Sequence, residues 1–295
     1  YLRIFNILYS KMTNFIVTAD TGSGSIDQYK VAKSMEILNN NNKINSVLLL
    51  GDNIYEHGVT SSLDPQFKTK FEKPYRNINK SFYLCLGNHD YGNSFFLKNN
   101  AGFQVSYSDI SEKWNMPDKY YSIKGKNYEI FMLDTNLDLF NEKTIMKQFH
   151  IMSEKIKNSN KKWKIVCGHH PWRSVGGHGN AERRLEIFMN DLFKVGADFD
   201  LYMCGHDHCK NIIMKNHPFK KNKLITLLVI GTGGKKYHAG EDGRPELHNM
   251  QKGDSDLLFH SPNLGSCIMK INNKNIKLIC YNEKLIEEYT HIIQK

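Results

Sequence analysis

Five short, largely apolar segments, each followed at once by a polar residue able to bind metal, are the most constraining feature of this sequence. Apolar residues occupy consecutive positions in them, which is typical of strands covered on both faces. Helical spacing follows the first segment, over Tyr29–Leu38, and recurs over 143–157 and 182–195. This alternation predicts α/β organisation, with the polar residues in loops at the carboxyl ends of strands. The segments are 14–19, 47–50, 82–86, 164–167 and 201–204.

Other segments predict antiparallel strands. Residues 120–123 and 128–133 flank a Lys-Gly-Lys-Asn turn, and 224–230 is a further apolar strand. Near the C-terminus, a hairpin that sets Cys267 opposite Cys280 places its apolar residues on one face. We therefore expect a two-sheet β-sandwich flanked by helices, a four-layer αββα arrangement in one domain over residues 1–295. We expect the lysine-rich stretch 210–223 to be a solvated hairpin or loop.

Composition limits the function classes. The 295 residues are 40% hydrophobic, too apolar for a disordered chain, and contain no apolar run of the roughly 18 residues that a membrane span needs. Six cysteines do not indicate a disulfide scaffold, and Cys267 and Cys280 are either an apolar pair or a disulfide. The net charge of +10 reflects either lysine-rich compositional bias, which the spread of Lys and Asn favours, or a functional basic surface.

The polar residues after the five strands form a metal-ligand pattern. Two adjacent cations need a bridging anion, which an Asp carboxylate supplies, and imidazoles suit iron and zinc. Two histidines at alternate positions of a loop can reach different metals, and the glycines in the motifs permit sharp turns and close backbone approach. The pattern predicts a binuclear metal site. Its motifs are Asp20-Thr21-Gly22, Gly51-Asp52-Asn53-Ile54-Tyr55, Gly87-Asn88-His89-Asp90, Gly168-His169-His170 and Gly205-His206-Asp207-His208.

These motifs resemble those of the metallophosphoesterase superfamily, and specifically the purple acid phosphatases of the small, mammalian tartrate-resistant type. Tyr55, three residues after Asp52, distinguishes this group, in which a tyrosinate binds ferric iron. The resemblance implies that Asp20, Tyr55 and His208 bind Fe(III) and that Asp52 bridges to a divalent metal, Fe(II), Zn or Mn. It assigns the remaining ligands of the divalent metal to Asn88, His169 and His206.

The resemblance also implies the reaction. It is hydrolysis of a phosphate monoester at acidic pH by a metal-bound hydroxide, with His89 and His178 contacting the phosphate or protonating the leaving group. For each histidine, a structural or surface role is the alternative. We expect Asp90 either to orient His89 or to raise its pKa, and we expect the glycine-rich run 176–179 around His178 to have little local stiffness. The short segment 136–141 leaves no room for the long repression loop of the mammalian enzymes.

On this basis we expect the substrate to be a small phosphomonoester or a phosphoprotein, and we expect no nucleic-acid partner. We also expect a monomer with no transmembrane segment in this chain. Its expected location is the secretory pathway, a vacuole or the outside of the cell. The alternatives are another metallophosphoesterase activity (phosphodiesterase, nucleotidase or protein phosphatase), a noncatalytic phosphatase-like scaffold, and a nucleic-acid-binding protein. Two basic segments are either pocket rim or solvated loops. They contain Trp172, Arg173, Arg183 and Arg184, and Lys235, Lys236, His238, Arg244 and His248.

Overall fold

The computed structural model of the protein describes residues 12–92, 100–236 and 243–295. Within them lie fourteen strands. In chain order they are β1 (Thr13–Thr18), β2 (Ser46–Leu50), β3 (Ser81–Cys85), β4 (Trp114–Asn115), β5 (Tyr121–Lys124), β6 (Tyr128–Met132), β7 (Trp163–Cys167), β8 (Leu201–Cys204), β9 (Lys210–Asn216), β10 (Leu224–Ile230), β11 (Ser255–Ser261), β12 (Gly265–Ile271), β13 (Asn275–Asn282) and β14 (Glu287–Gln294).

The strands form two seven-stranded mixed sheets. The first has the order β14-β13-β12-β1-β2-β3-β4, and the second has the order β11-β9-β10-β8-β7-β6-β5. Strands β1, β2 and β3 run parallel in the first sheet, as do β6, β7, β8 and β10 in the second. Because parallel strands end at a common edge, the loops that leave them gather there.

Helices cover the outer faces of the sheets. They are α1 (Ile26–Asn42), α2 (Pro65–Phe67), which continues into a π-helical turn over Lys68–Glu72, α3 (Ala101–Ser106), α4 (Glu142–Asn158) and α5 (Arg183–Lys194). Short 3-10 turns occupy His89–Tyr91, Tyr107–Asp109, Leu137–Leu139 and Leu247–Lys252. Helix α1 packs on the first sheet, and its amino end is capped by Ser25, whose side chain accepts a hydrogen bond from the Gln28 amide.

Two apolar cores hold the layers together. One lies between the sheets and beneath α1, where the Phe15 and Tyr128 rings meet edge to face at 5.6 Å. The other lies between the second sheet and helices α4 and α5, with Phe149 against Phe188 at 5.5 Å. The sandwich of two sheets flanked by helices is therefore confirmed.

Local predictions were confirmed in most places. Cys267 pairs with Cys280 in the β12–β13 register, and both are buried free thiols. Helix α1 continues through the asparagine run and ends at Asn42, and the residue after it, Lys43, has left-handed backbone. The short segment after Thr135 forms the turn Leu137–Leu139 ahead of α4.

The prediction for residues 210–223 was wrong in its first half. The segment is a hairpin, but β9 is a buried strand in the second sheet rather than a solvated one. Lys210 is fully buried because its ammonium contacts the Glu288 carboxylate at 2.9 Å. Lys215 is buried against Asp254 at 2.8 Å. Distant carboxylates thus allow two lysines to enter the sheet.

No helix in the described part of the chain is both long enough and apolar enough to cross a membrane.

Candidate metal centre

The five motif loops meet at one edge of the sandwich. They leave the carboxyl ends of β1, β2 and β3 in the first sheet and of β7 and β8 in the second. Three of the predicted ligands have left-handed backbone: Asp20 (φ 58°), Asp52 (φ 51°) and His206 (φ 70°). Such conformations are unfavourable outside glycine and concentrate at functional sites.

Asp20, Tyr55 and His208 form one cluster. The Tyr55 hydroxyl lies 2.9 Å from Asp20 Oδ1 and 3.2 Å from His208 Nε2. His208 Nε2 in turn lies 3.4 Å from Asp20 Oδ1. The other ring nitrogen of His208 faces the Lys236 carbonyl oxygen at 3.2 Å. That carbonyl favours a proton on Nδ1, so Nε2 presents its lone pair to the cluster.

Asn88, His169 and His206 form a second cluster. His169 Nε2 lies 3.1 Å from Asn88 Oδ1 and 3.3 Å from His206 Nδ1. His169 Nδ1 donates to the Leu50 carbonyl at 2.9 Å, which leaves Nε2 as the free lone pair. The two facing ring nitrogens are therefore suited to a cation between them.

Asp52 lies between the clusters. Its Oδ1 is 3.4 Å from His169 Nε2 and accepts the backbone N–H of His89 at 3.0 Å. Ligand atoms of Asp20, Asp52 and His169 all lie within 4.8 Å of one another, and all three residues are buried.

Glycines make this close approach possible, as the sequence predicted. A Cβ on Gly87 would lie 2.1 Å from Asp52 Oδ1, and one on Gly205 would lie 2.4 Å from Asp20 Oδ2. A Cβ on Gly51, whose φ is +88°, would lie 2.4 Å from His169 Nδ1. Any side chain at these positions would displace a predicted ligand.

The electrostatics of the cluster fit a bound cation. Burial raises the pKa of Tyr55 well above its ordinary value, and the carboxylates of Asp20 and Asp52 raise it further. Burial also raises the pKa of Asp52, but the neighbouring imidazole of His169 outweighs it, so that the pKa of Asp52 lies well below its usual range. Burial lowers the pKa of His169, but Asp52 outweighs it and raises that pKa to about 10.

The raised pKa values of Tyr55 and His169 reflect the carboxylates of Asp20 and Asp52 beside them. In a buried space, a cation is the natural partner of such carboxylates. Carboxylate, phenol, amide and imidazole donors are a mixed set that suits iron, zinc or manganese. The residues present therefore fit a pair of such ions.

His89 points at the edge of the cluster without joining it. Its Nδ1 donates to the Glu56 carbonyl at 2.7 Å, and its Nε2 lies 3.9 Å from Asp52 Oδ2. The expectation that Asp90 orients His89 was wrong. The buried Asp90 carboxylate instead accepts the backbone N–H groups of Gly87, Asn53 and Ile54, as well as the Gln104 amide. Asp90 thus fixes the two loops that carry Asp52 and Asn88.

His178 stacks beside His206, with their ring centroids 4.1 Å apart. Its glycine-rich loop, for which the sequence predicts little local stiffness, is held by residues distant in sequence. Asp207 Oδ1 accepts the His178 N–H at 2.7 Å, and Asp207 Oδ2 accepts the Gly179 N–H at 3.3 Å. Asn180 donates to the Asn249 carbonyl at 2.7 Å. Side chains distant in sequence supply the stiffness that the local sequence lacks.

Thr135 is a supporting residue that the motif pattern did not identify. Its Oγ1 accepts the backbone N–H groups of His169 and His170, each at 3.0 Å, and lies 2.9 Å from His170 Nδ1. Its position at the end of β6, which runs parallel to β7, is the signal that would have located it. A cavity of about 120 Å³ opens beside it and is lined also by His170, His178 and His206.

The first of the two basic segments is mostly buried or bound to neighbouring residues and does not form a pocket rim. Trp172 and Arg173 are buried and do not form a rim, and Arg173 is held by two carboxylates, Glu186 at 2.5 Å and Asp254 at 2.6 Å. Arg184 donates to main-chain carbonyls of the neighbouring turn, whereas Arg183 is exposed.

In the second segment, Lys235 lies 4.2 Å above the Tyr55 ring and pairs with Glu56. Lys236 pairs with Asp27, and His248 with Glu246. Arg244 is exposed, and His238 lies outside the described residues.

Residues 13–210 match the calcineurin-like phosphoesterase family, which covers all five motif loops. The chain belongs to that family. Among curated proteins, purple acid phosphatase 17 of Arabidopsis thaliana is 27% identical over 91% of this chain and 80% of its own length. Human tartrate-resistant acid phosphatase type 5 is 29% identical over 61% of this chain and 58% of its own. These relatives support a phosphoesterase hydrolase activity for this member of the family.

Solved structures share the fold. A Plasmodium protein described as GAP50, the anchor in the inner membrane complex, superposes with a TM-score of 0.76 at 22% identity, over 96% of this chain and 89% of its own. The purple acid phosphatase PPD1 of yellow lupin superposes with a TM-score of 0.70 at 16% identity, over 97% of this chain and 54% of its own. At these identities the likeness concerns the fold alone.

Proposed function

We propose that this phosphoesterase hydrolyses phosphate monoesters at a two-metal centre. Asp20, Tyr55 and His208 would hold a ferric ion, Asn88, His169 and His206 a divalent ion, and Asp52 both. The observation that carries the proposal is the convergence of these side chains from five loops. Hydrogen bonds to main-chain carbonyls on the outer ring nitrogens of His169 and His208 turn their Nε2 atoms toward the cluster.

When bound, the two ions would neutralise charge on the phosphate oxygens and activate a water for attack on phosphorus. The chain's own contribution begins with Asp52, whose position between the clusters fixes their separation. Burial of Tyr55 and of the Asp20 and Asp52 carboxylates keeps water from competing for these groups. The φ > 0 backbone at Asp20, Asp52 and His206 stores strain that the surrounding loops hold in place.

The two other histidines would handle the substrate. Glu56 fixes the tautomer of His89 with the proton on Nδ1, so that Nε2 faces the site and binds or protonates a phosphate oxygen. His178 borders the cavity beside His206, where the leaving group would lie, and would donate a proton to its oxygen. A small phosphomonoester or a phosphorylated side chain fits this open edge.

The test compares hydrolysis of p-nitrophenyl phosphate with that of bis-p-nitrophenyl phosphate between pH 4 and 8, with metal content measured on the same samples. We expect the monoester to be favoured, with highest turnover at acidic pH. We expect Asp52→Asn to lose at least one of the two metal ions and most of the activity. A preference for the diester would replace the proposal with phosphodiesterase activity. Full metal content without turnover on either substrate would favour a noncatalytic scaffold.

A further inference from the structure

A group of lysine-bearing loops lies at the end of the sandwich opposite the candidate centre. These loops adjoin the amino ends of the parallel strands β6, β7, β8 and β10, whereas the predicted metal ligands follow the carboxyl ends of such strands. Direct contacts join them: Lys161 Nζ donates to the Lys126 carbonyl at 3.3 Å, and Lys295 Nζ to the Lys162 carbonyl at 2.5 Å. We call this surface the basic edge and define it as residues 125–127, 159–162, 217–223, 272–274 and Lys295.

The exposed charge of the basic edge is positive. Each of its loops contributes at least one lysine. The carboxylates of Glu129, Asp198 and Asp200 contact these loops, but their side chains are only 4%, 19% and 9% exposed. Lysines of the edge bind Asp198 and Asp200. The edge therefore presents unbalanced ammonium groups to any partner.

The hairpin of β9 and β10 adds apolar side chains to this charge, one in its loop and one at the first residue of β10. Phe219 is 58% exposed and Leu224 is 49% exposed, on either side of Lys220, Lys221 and Lys223. Exposed apolar side chains beside lysines make this part of the surface amphipathic, with apolar and cationic groups side by side.

The same loop is fixed in place. The buried His217 ring accepts the backbone N–H groups of Phe219 and Lys220 through Nδ1, at 3.1 and 3.0 Å. Asp198 binds the Lys220 ammonium and lies 3.3 Å from that of Lys223. Phe219 is therefore held outward by a braced turn, which reduces the entropy lost when it inserts into a partner.

We propose that the basic edge docks on an anionic lipid surface. Lysines would lie at the level of the headgroups, where the negative surface potential of the lipid attracts each ammonium group and strengthens binding. Phe219 and Leu224 would enter the boundary with the acyl chains. A nucleic acid would use the lysines equally well and could stack a base on Phe219, but it offers no apolar medium to the aliphatic Leu224. The combination of aliphatic, aromatic and cationic groups on one hairpin therefore fits a membrane.

This docking has a consequence for access to the candidate centre. Because the basic edge and the motif loops lie at opposite ends of the strands, a docked molecule would direct its motif loops away from the lipid. Substrates dissolved in the aqueous phase would remain accessible. The inference does not depend on the proposed function, since no predicted ligand lies in the basic edge.

The experiment is flotation of the full chain with vesicles of phosphatidylcholine alone, or with about 30% phosphatidylserine, at low and at physiological salt. We expect binding to the phosphatidylserine vesicles only, weakening as salt rises. Lys221→Gln should weaken it about fivefold, the effect of one lysine near an anionic surface. Phe219→Ala should weaken it by a similar factor through lost apolar insertion.

Matched controls are Lys147→Gln, an exposed lysine on α4, and Leu63→Ala, an exposed apolar residue far from the basic edge. Both should bind vesicles like the unaltered chain, and all four variants should retain its metal content. Equal binding to both vesicle types, or equal loss in the control variants, would overturn the proposal. So would vesicle binding that Phe219→Ala leaves unchanged while a single-stranded RNA homopolymer displaces the protein, because that result assigns the edge to nucleic acid.

Discussion

Asp207 should govern the activity of His178 without binding metal or substrate itself. Its carboxylate lies between the loop of the predicted ligands His206 and His208 and the loop of His178, and it accepts two backbone N–H groups of the latter. In Asp207→Asn, one oxygen becomes an NH2 group that faces an N–H donor. One hydrogen bond to a charged group is lost, which costs about 2 kcal/mol.

If that free energy previously held His178 beside His206, its loss lowers the positioned fraction of His178 by up to about 30-fold. We expect kcat for an alkyl phosphate to fall by roughly this factor. The fall should be much smaller for p-nitrophenyl phosphate, whose leaving group needs no proton. His178→Ala should show the same substrate dependence, and adding Asp207→Asn to it should cause little further loss.

Hydrogen exchange gives a readout that does not depend on turnover. The amides of His178 and Gly179 should exchange faster in Asp207→Asn, while metal content stays unchanged. Asn249→Ala, which removes a different contact to this loop, is the matched control. Additive losses in the double variant, or equal losses on both substrates, would refute a positioning role for Asp207. Loss of metal would show instead that Asp207 supports the ligands beside it.

Three further outcomes are expected. Tyr55→Phe should remove most of the visible absorption of the iron-loaded protein, and a variant that keeps its colour would contradict the tyrosinate assignment. Burial raises the pKa of Asp254, but hydrogen bonds from Arg173 and Lys215 outweigh it and hold that pKa well below its usual value. The stability that this adds is present above about pH 4 and is lost as the pH falls further. The free energy of unfolding measured in urea should therefore fall more steeply toward acidic pH in the unaltered chain than in Asp254→Asn; parallel curves would contradict this. Peptide mapping without reductant should find Cys267 and Cys280 as free thiols, and a linked peptide pair would contradict that.

The sequence was sufficient for the elements whose signal is local. Apolar strands ending in a glycine and a polar residue located the edge of the sheets that carries the site. They could do so because strand burial and turn geometry depend on residues that are adjacent in sequence. The β12–β13 register followed from the apolar face that Cys267 and Cys280 share.

Where partners are distant in sequence, the sequence was not sufficient. The lysines of β9 resemble a solvated stretch until Glu288 and Asp254 are brought against them. The glycine-rich loop of His178 looks mobile until Asp207 binds it, and Asp90 turned out to brace loops rather than the adjacent His89. Strands β11 and β14 were not predicted, and they lie at the outer edges of their sheets.

The central claim is that the converging side chains bind two metal ions. Its most direct test is elemental analysis of the purified protein beside Asp52→Asn, with protein concentration from amino-acid analysis. The unaltered chain should contain about two metal ions, at least one of them iron, and Asp52→Asn, which removes the negative charge between them, should contain at most about one. Full activity in an iron-free protein, or an unchanged metal content in Asp52→Asn, would contradict the account.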